Sequence, residues 1–206
     1  MAPTLYYAPT VCSLSPHIVL RELGIPFDLA RVDLRAKKLV DGGGDWLALN
    51  PKGYVPALRL DDGNVLTEGA VMIRYLADTH PEAGLAPAHG TLERVRLDEL
   101  LHFIATELHK GMGPLYNVLA NDDYKAQVRQ RLATRVGQLA ETLGDKPYLT
   151  GERFSIADAY AFYVLRAWQR VHKQELTAWP TLVAYYERVA ARPAVNAALA
   201  AEGIAP

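Results

Sequence analysis

A single cysteine, Cys12, stands in 206 residues. One thiol excludes an internal disulfide framework and any cysteine-based zinc site, and it fits a reducing compartment. Charge of either sign is not in surplus: 22 basic residues against 23 acidic ones leave a formal net charge of −1. That gives no electrostatic case for nucleic acid or an anionic membrane as a partner. No basic segment precedes an apolar stretch at the N-terminus, so no signal peptide is read there. Residues 2–20 lack Asp, Glu, Lys and Arg, yet Pro3, Pro9, Pro16, Ser13, Ser15 and His17 interrupt them. A membrane span is therefore rejected, and the expectation is a cytoplasmic protein. Half of the residues are hydrophobic, enough to core one large domain or two small ones.

The first 80 residues alternate between strand and helix patterns. Leu5–Ala8 reads as a strand, Leu14–Leu23 as a helix ended by Gly24, and residues 27–32 as a second strand. A polar, Gly-rich loop from Lys37 to Leu49 holds a short helix near Trp46. Residues 56–60 form a third strand, Asp62-Gly63-Asn64 a tight turn, Val65-Leu66 the returning strand, and Ala70–Thr79 another helix. A βαβ unit, a helix, a hairpin and a last helix make a small mixed sheet with helices on its faces, the thioredoxin-like plan. Residues 81–88, rich in Pro, Gly and Ala, read as a linker. Beyond them strand signals vanish. Helical spacing runs over residues 92–108, 124–143, 155–171, 180–191 and 194–200. The expectation is an α/β thioredoxin-like N-terminal domain over 1–80 and an all-α helical-bundle C-terminal domain over 89–206.

Cys12 sits between the first strand and the first helix. A helix N-terminus presents unpaired N–H groups and positive potential, which favour a thiolate or a bound sulfur anion. Free cysteine is also among the most buried residue types, so packing alone explains it equally well. Ser13 and Ser15 are suited to N-cap this helix and Pro16 to its first turn. In Asn50-Pro51-Lys52-Gly53-Tyr54-Val55-Pro56, a cis Val55–Pro56 bond would expose the Val55 backbone to an extended peptide, although spacing alone favours trans. Glu68, before the helix of residues 70–79, complements its dipole or holds a ligand ammonium, with the Gly69 amide nearby for a carboxylate. His109 and Lys110 end a helix, where cations suit the dipole. Glu107 and His109 lack metal-ligand spacing, so no metal site is expected. Ser155 and Asp158 have the form of a capping box, a folding device with no expected ligand contact.

In combination these segments resemble the soluble glutathione transferases, most closely the bacterial beta class. The carrying pieces are Cys12–His17, Asn50–Gly53 with Val55–Leu58, Leu66–Gly69, Ala105–Gly111 and Phe154–Tyr160, which cover essentially the whole chain. The resemblance implies a homodimer, a cis Val55–Pro56 bond, and glutathione as co-substrate with a small electrophilic second substrate. It places the Val55 backbone on the cysteinyl part of glutathione, Glu68 and the Gly69 amide on the γ-glutamyl end, and Lys37 and Lys52 near the glycine carboxylate. Cys12 then lies beside the glutathione sulfur, with Ser13 helping to stabilise it and His109 and Lys110 facing it from the second domain.

Two positions depart from the family's pattern. Many members carry Ser where this chain has Gly69, and beta-class dimers often send an Asn across the interface where it has His102. The implied activity is conjugation of the glutathione thiolate to small apolar electrophiles, with thiol–disulfide exchange through Cys12 as a second chemistry. The alternative is a non-catalytic carrier of apolar ligands or a protein-interaction module. Residues 112–116, Trp168 and His172 are the expected lining of the electrophile pocket.

Overall fold

The computed structural model describes residues 2–204. The chain divides into two compact units, residues 1–84 together with 190–206, and residues 85–189.

The first unit is built on a five-stranded sheet in the order β3-β2-β1-β4-β5. Strand β1 (Thr4–Tyr7) is buried along its whole length. Helix α1 (Leu14–Leu23) carries the chain to β2 (Asp28–Asp33), which pairs parallel to β1. Its stop is chemical: Gly24 takes a left-handed φ of 63° and returns its N–H to the Arg21 carbonyl. The two-residue β3 (Lys38–Leu39) pairs with β2, an edge strand that the polar loop composition did not predict. One helical turn, α2 (Trp46–Leu49), buries Trp46 against Tyr6. Strands β4 (Ala57–Arg59) and β5 (Val65–Thr67) form the hairpin. Its turn is fixed by Asp62 Oδ1, which accepts the Asn64 N–H, and by Gly63 at φ 90°. Helix α3 (Gly69–Thr79) follows.

The second unit begins at Leu85, inside the expected linker; Leu85 is buried and its carbonyl accepts the Ile156 N–H. It holds α4 (Leu92–Phe103), α5 (Asp122–Leu143), α6 (Ile156–Arg166) and α7 (Pro180–Ala190). Every residue of α6 is buried. Buried Asp158 accepts from the N–H and hydroxyl of Ser155, the Leu149 N–H and the Tyr185 hydroxyl, all within 2.8–2.9 Å. Four donors outfit a carboxylate for an apolar interior. Two expected helices change pitch. Residues 104–109 form a π-helical turn followed by a 3-10 segment to Tyr116, and residues 167–171 form a second π-turn. Apolar spacing does not separate i→i+4 from i→i+5 bonding, so each read as an unbroken helix.

The expected 89–206 domain loses its last helix. Helix α8 (Pro193–Ala201) groups with the first unit and packs on α1. Three observations explain this: Val195, Ala198 and Leu199 are buried; His17 and Glu202 meet at 2.9 Å with both side chains fully enclosed; and the Arg192 guanidinium grips the Glu22 carboxylate at 2.6 and 2.8 Å. No helix among the described residues is long and apolar enough to cross a membrane.

Candidate functional site

The loop between β1 and α1 brings Cys12 to the helix mouth, and Ser13 holds that loop closed. The Ser13 hydroxyl donates to the Ala8 carbonyl at 3.0 Å and accepts the Ala8 N–H at 3.2 Å, with the side chain fully buried. It makes no cap bond to α1. The hydroxyl therefore faces inward, and only the Ser13 amide remains for a bound anion. The Ser15 hydroxyl is buried with no hydrogen-bond partner among the described residues, so it caps nothing either.

The Cys12 thiol donates to the Val55 carbonyl at 3.2 Å. Burial pushes its pKa up to about 12, the nearby Glu68 carboxylate adds to the shift, and the Cys12 and Ser13 amides offset part of it. Of the two anions that the helix mouth could favour, a Cys12 thiolate or a bound sulfur anion, burial disfavours the first. Removing the sulfur from water costs its anion more than two amides return.

Val55 and Pro56 are joined by a cis peptide bond, as the resemblance implies and against what spacing alone favours. The Val55 N–H donates to no group among the described residues. The preceding loop is braced by Asn50, a residue the sequence reading quoted without assigning it work. Its side-chain amide donates to the Tyr54 carbonyl at 2.8 Å, its Oδ1 accepts the Lys52 N–H, and its own carbonyl accepts the Gly53 N–H. Asn50 is almost wholly buried, so these bonds are shielded from competing water.

Around this backbone stand the expected cations and the acid. Lys37, at a left-handed φ of 56°, donates from Nζ to the Gly53 carbonyl at 2.8 Å. Its ammonium lies 6.0 Å from the centre of the exposed Tyr54 ring. Lys52 Nζ donates to Thr67 Oγ1 at 2.9 Å and reaches Glu68 Oε1 at 3.5 Å. Both members of that ion pair are more than half exposed, so it contributes little stability and is free to open toward a charged ligand. Glu68 itself has φ 67° and ψ 108°, a region that a non-glycine residue occupies at a cost. Gly69 opens α3 with its N–H at the positive end of that helix. The first unit thus gathers Cys12, Lys37, Lys52, Val55, Pro56, Glu68 and Gly69 as one connected set.

In the second unit, His109 closes the π-turn. Its Nδ1 lies 2.7 Å from the Tyr160 hydroxyl and its Nε2 3.5 Å from that of Tyr163. Burial, with Lys110 adding repulsion, lowers its pKa to about 4, so the ring is neutral at physiological pH. Lys110 is exposed. His102 is exposed on α4 with Nδ1 2.7 Å from the Asp98 carbonyl. Of the expected pocket lining, Met112 and Trp168 are buried, whereas Tyr116 is exposed and packs edge-on against His172.

Residues 11–79 match the glutathione S-transferase N-terminal domain and residues 103–193 the glutathione S-transferase C-terminal domain. The chain belongs to the glutathione S-transferase family. Glutathione S-transferase GstA of Escherichia coli O157:H7 is 46% identical over 200 residues, covering 97% of this chain and 98% of that one. The structure of a sphingomonad glutathione S-transferase complexed with glutathione superposes with a TM-score of 0.92 at 42% identity, covering 98% of this chain and all of the other. The bacterial beta-class glutathione S-transferase of Sphingomonas chungbukensis does so with a TM-score of 0.92 at 44% identity and the same coverage.

Two contributors to this transferase's geometry carry weak sequence signals. Asn50 had one cue, an Asx residue ahead of Pro51 at a turn. Tyr160 was visible only inside the capping-box segment, and nothing in its spacing points to His109, 51 residues away.

Proposed function

We propose that this transferase joins the thiolate of glutathione to small apolar electrophiles, acting as a homodimer in the cytoplasm. The observation that carries the reading is the pairing of Cys12 with Val55. The Val55 backbone offers an unpaired N–H and a carbonyl whose present donor is the Cys12 S–H; the N–H of an extended cysteinyl peptide would take over that carbonyl and release the S–H to the ligand sulfur. Glu68 and the Gly69 amide take the γ-glutamyl end, and Lys37 and Lys52 the glycine carboxylate.

The raised pKa of Cys12 suits this chemistry. A thiol that stays protonated is a hydrogen-bond donor to a second sulfur. Moving the pKa of bound glutathione from about 8.5 to about 6.5 takes roughly 2.7 kcal/mol. A helix N-terminus offers up to about 2 kcal/mol, and a hydrogen bond to an anion about 1.5–3. The Cys12 S–H with the Cys12 and Ser13 amides meets that sum. The thiolate then attacks the electrophilic carbon, a C–S bond forms, and the leaving group departs with its electron pair. A mixed disulfide through Cys12 would instead need its thiolate, a form burial disfavours.

His109, Lys110 and His102 belong to the second unit and enter this reading as residues to be tested by substitution. Steady-state conjugation of glutathione to a chloronitrobenzene, measured beside glutathione binding by calorimetry, tests the whole. Turnover is expected, with Cys12→Ala lowering kcat/KM about 10-fold, as loss of one hydrogen bond to a charged group does. Glutathione binding with no turnover across a panel of electrophiles would overturn the transferase reading in favour of a carrier.

A further inference from the structure

His109 is held by two tyrosines from one face of α6, three residues apart. Both are nearly buried, and both rings meet the imidazole edge-on, with centroids 5.7 and 5.1 Å away at 80° and 82°. Their hydroxyls are not equivalent. Tyr160 Oη is 2.7 Å from Nδ1, a short and strong contact, whereas Tyr163 Oη is 3.5 Å from Nε2, at the outer limit for a hydrogen bond.

A neutral imidazole has one N–H and one bare nitrogen. A phenol is a good proton donor and a poor acceptor, and the bare imidazole nitrogen is the stronger base of the two groups. The short bond therefore runs from the Tyr160 O–H to Nδ1, which leaves the ring proton on Nε2. The geometry points to Tyr160 as a positioning residue that holds His109 in its Nε2–H tautomer, as a neutral hydrogen-bond donor in the glutathione-dependent reaction. The Tyr163 oxygen is too distant to engage that N–H fully, so the donor stays available to a ligand atom bearing negative charge. Burial, with the Lys110 ammonium adding to it, keeps the imidazole in the neutral form that this arrangement requires. The inference rests on the transferase reading for its consequence in catalysis, but not for the tautomer.

The test uses the full-length enzyme with nitrogen-15 in its histidines. Long-range proton–nitrogen correlation at pH 7 is expected to show a pyridine-like Nδ1 and a pyrrole-like Nε2 for His109. In Tyr160→Phe the ring packing is kept and the donor lost, so the two shifts move toward an average and kcat/KM for conjugation falls about 10-fold. In that variant KM for glutathione changes less than kcat. Tyr163→Phe keeps the wild-type tautomer. A pyrrole-like Nδ1 in the wild type overturns the assignment, and this spectrum decides even if Tyr160→Phe fails to fold. An unchanged tautomer in Tyr160→Phe overturns the positioning role. If His109→Ala conjugates at the wild-type rate while the tautomer is as expected, the assignment stands and the use of His109 in the reaction fails.

Discussion

The Cys12 thiol donates to the Val55 carbonyl at 3.2 Å, across 43 residues of sequence. Burial around the sulfur, with the Glu68 carboxylate adding to it, pushes the thiol pKa up to about 12 and holds it protonated. Alkylation by iodoacetamide at pH 8 reads the thiolate directly. The ligand-free protein is expected to react about 10³-fold more slowly than an unperturbed cysteine, because the anion is that much scarcer. An alkylation profile with its midpoint near pH 8.5 would contradict the donor role assigned to Cys12.

Much of this unit was legible because its signals are local. The helix of residues 14–23 follows from apolar spacing and a glycine that alone accepts the left-handed stop. The hairpin follows from Asp62-Gly63-Asn64. What stayed hidden is long-range or depends on small differences in geometry. Ser13 looked like an N-cap because capping and loop clamping ask for the same hydroxyl; the nearness of Ala8 decides between them, and spacing does not reveal it. The state of the Cys12 thiol stayed open between anion and buried thiol, because the helix dipole can be read from sequence and desolvation cannot. The partner of His17 lies 185 residues away at Glu202, so the return of α8 to α1 left no pattern to find.

Gly69 stands where the resemblance implies a hydroxyl in many members of the family. A Cβ built there meets Pro56 Cγ at 3.6 Å, an ordinary van der Waals contact, and the residue does not need a left-handed φ. Gly69→Ser is therefore expected to fold normally and to add a donor at the N-terminus of α3. One new hydrogen bond to a carboxylate is worth about 1.5 kcal/mol, so the glutathione dissociation constant measured by calorimetry should fall about 10-fold. An unchanged constant would mean that the γ-glutamyl carboxylate lies elsewhere.

His109 makes stability depend on pH. Its folded pKa is about 4, below the ordinary value of 6.5. Between those values the unfolded chain takes up a proton that the folded protein refuses. Stability is thus full above pH 6.5 and is lost as pH falls toward 4, by up to about 3 kcal/mol. His109→Gln removes the titration, and urea unfolding from pH 7 down to 4.5 should show a correspondingly shallower loss. Parallel pH profiles in the two proteins would place the imidazole in water.

The last prediction concerns the contact that assigns α8 to the first unit. His17 Nε2 accepts from Arg21 Nε at 3.4 Å, so its Nδ1 carries the proton that Glu202 receives at 2.9 Å. Both side chains are fully enclosed, and removing the carboxylate strands a buried N–H with no water to replace it. Glu202→Ala is expected to lower unfolding stability by about 2–3 kcal/mol, the upper part of the range for leaving a buried donor unsatisfied. Arg192→Ala breaks the neighbouring grip on Glu22, where both side chains keep some access to solvent. It is expected to cost about 1 kcal/mol, because water can solvate the carboxylate left behind. Linear extrapolation of urea unfolding resolves a difference of that size. The comparison holds helix propensity and packing nearly constant, so a larger loss in Glu202→Ala isolates burial as the cause. Equal losses would mean that the apolar contacts of Val195, Ala198 and Leu199 alone hold α8 on α1.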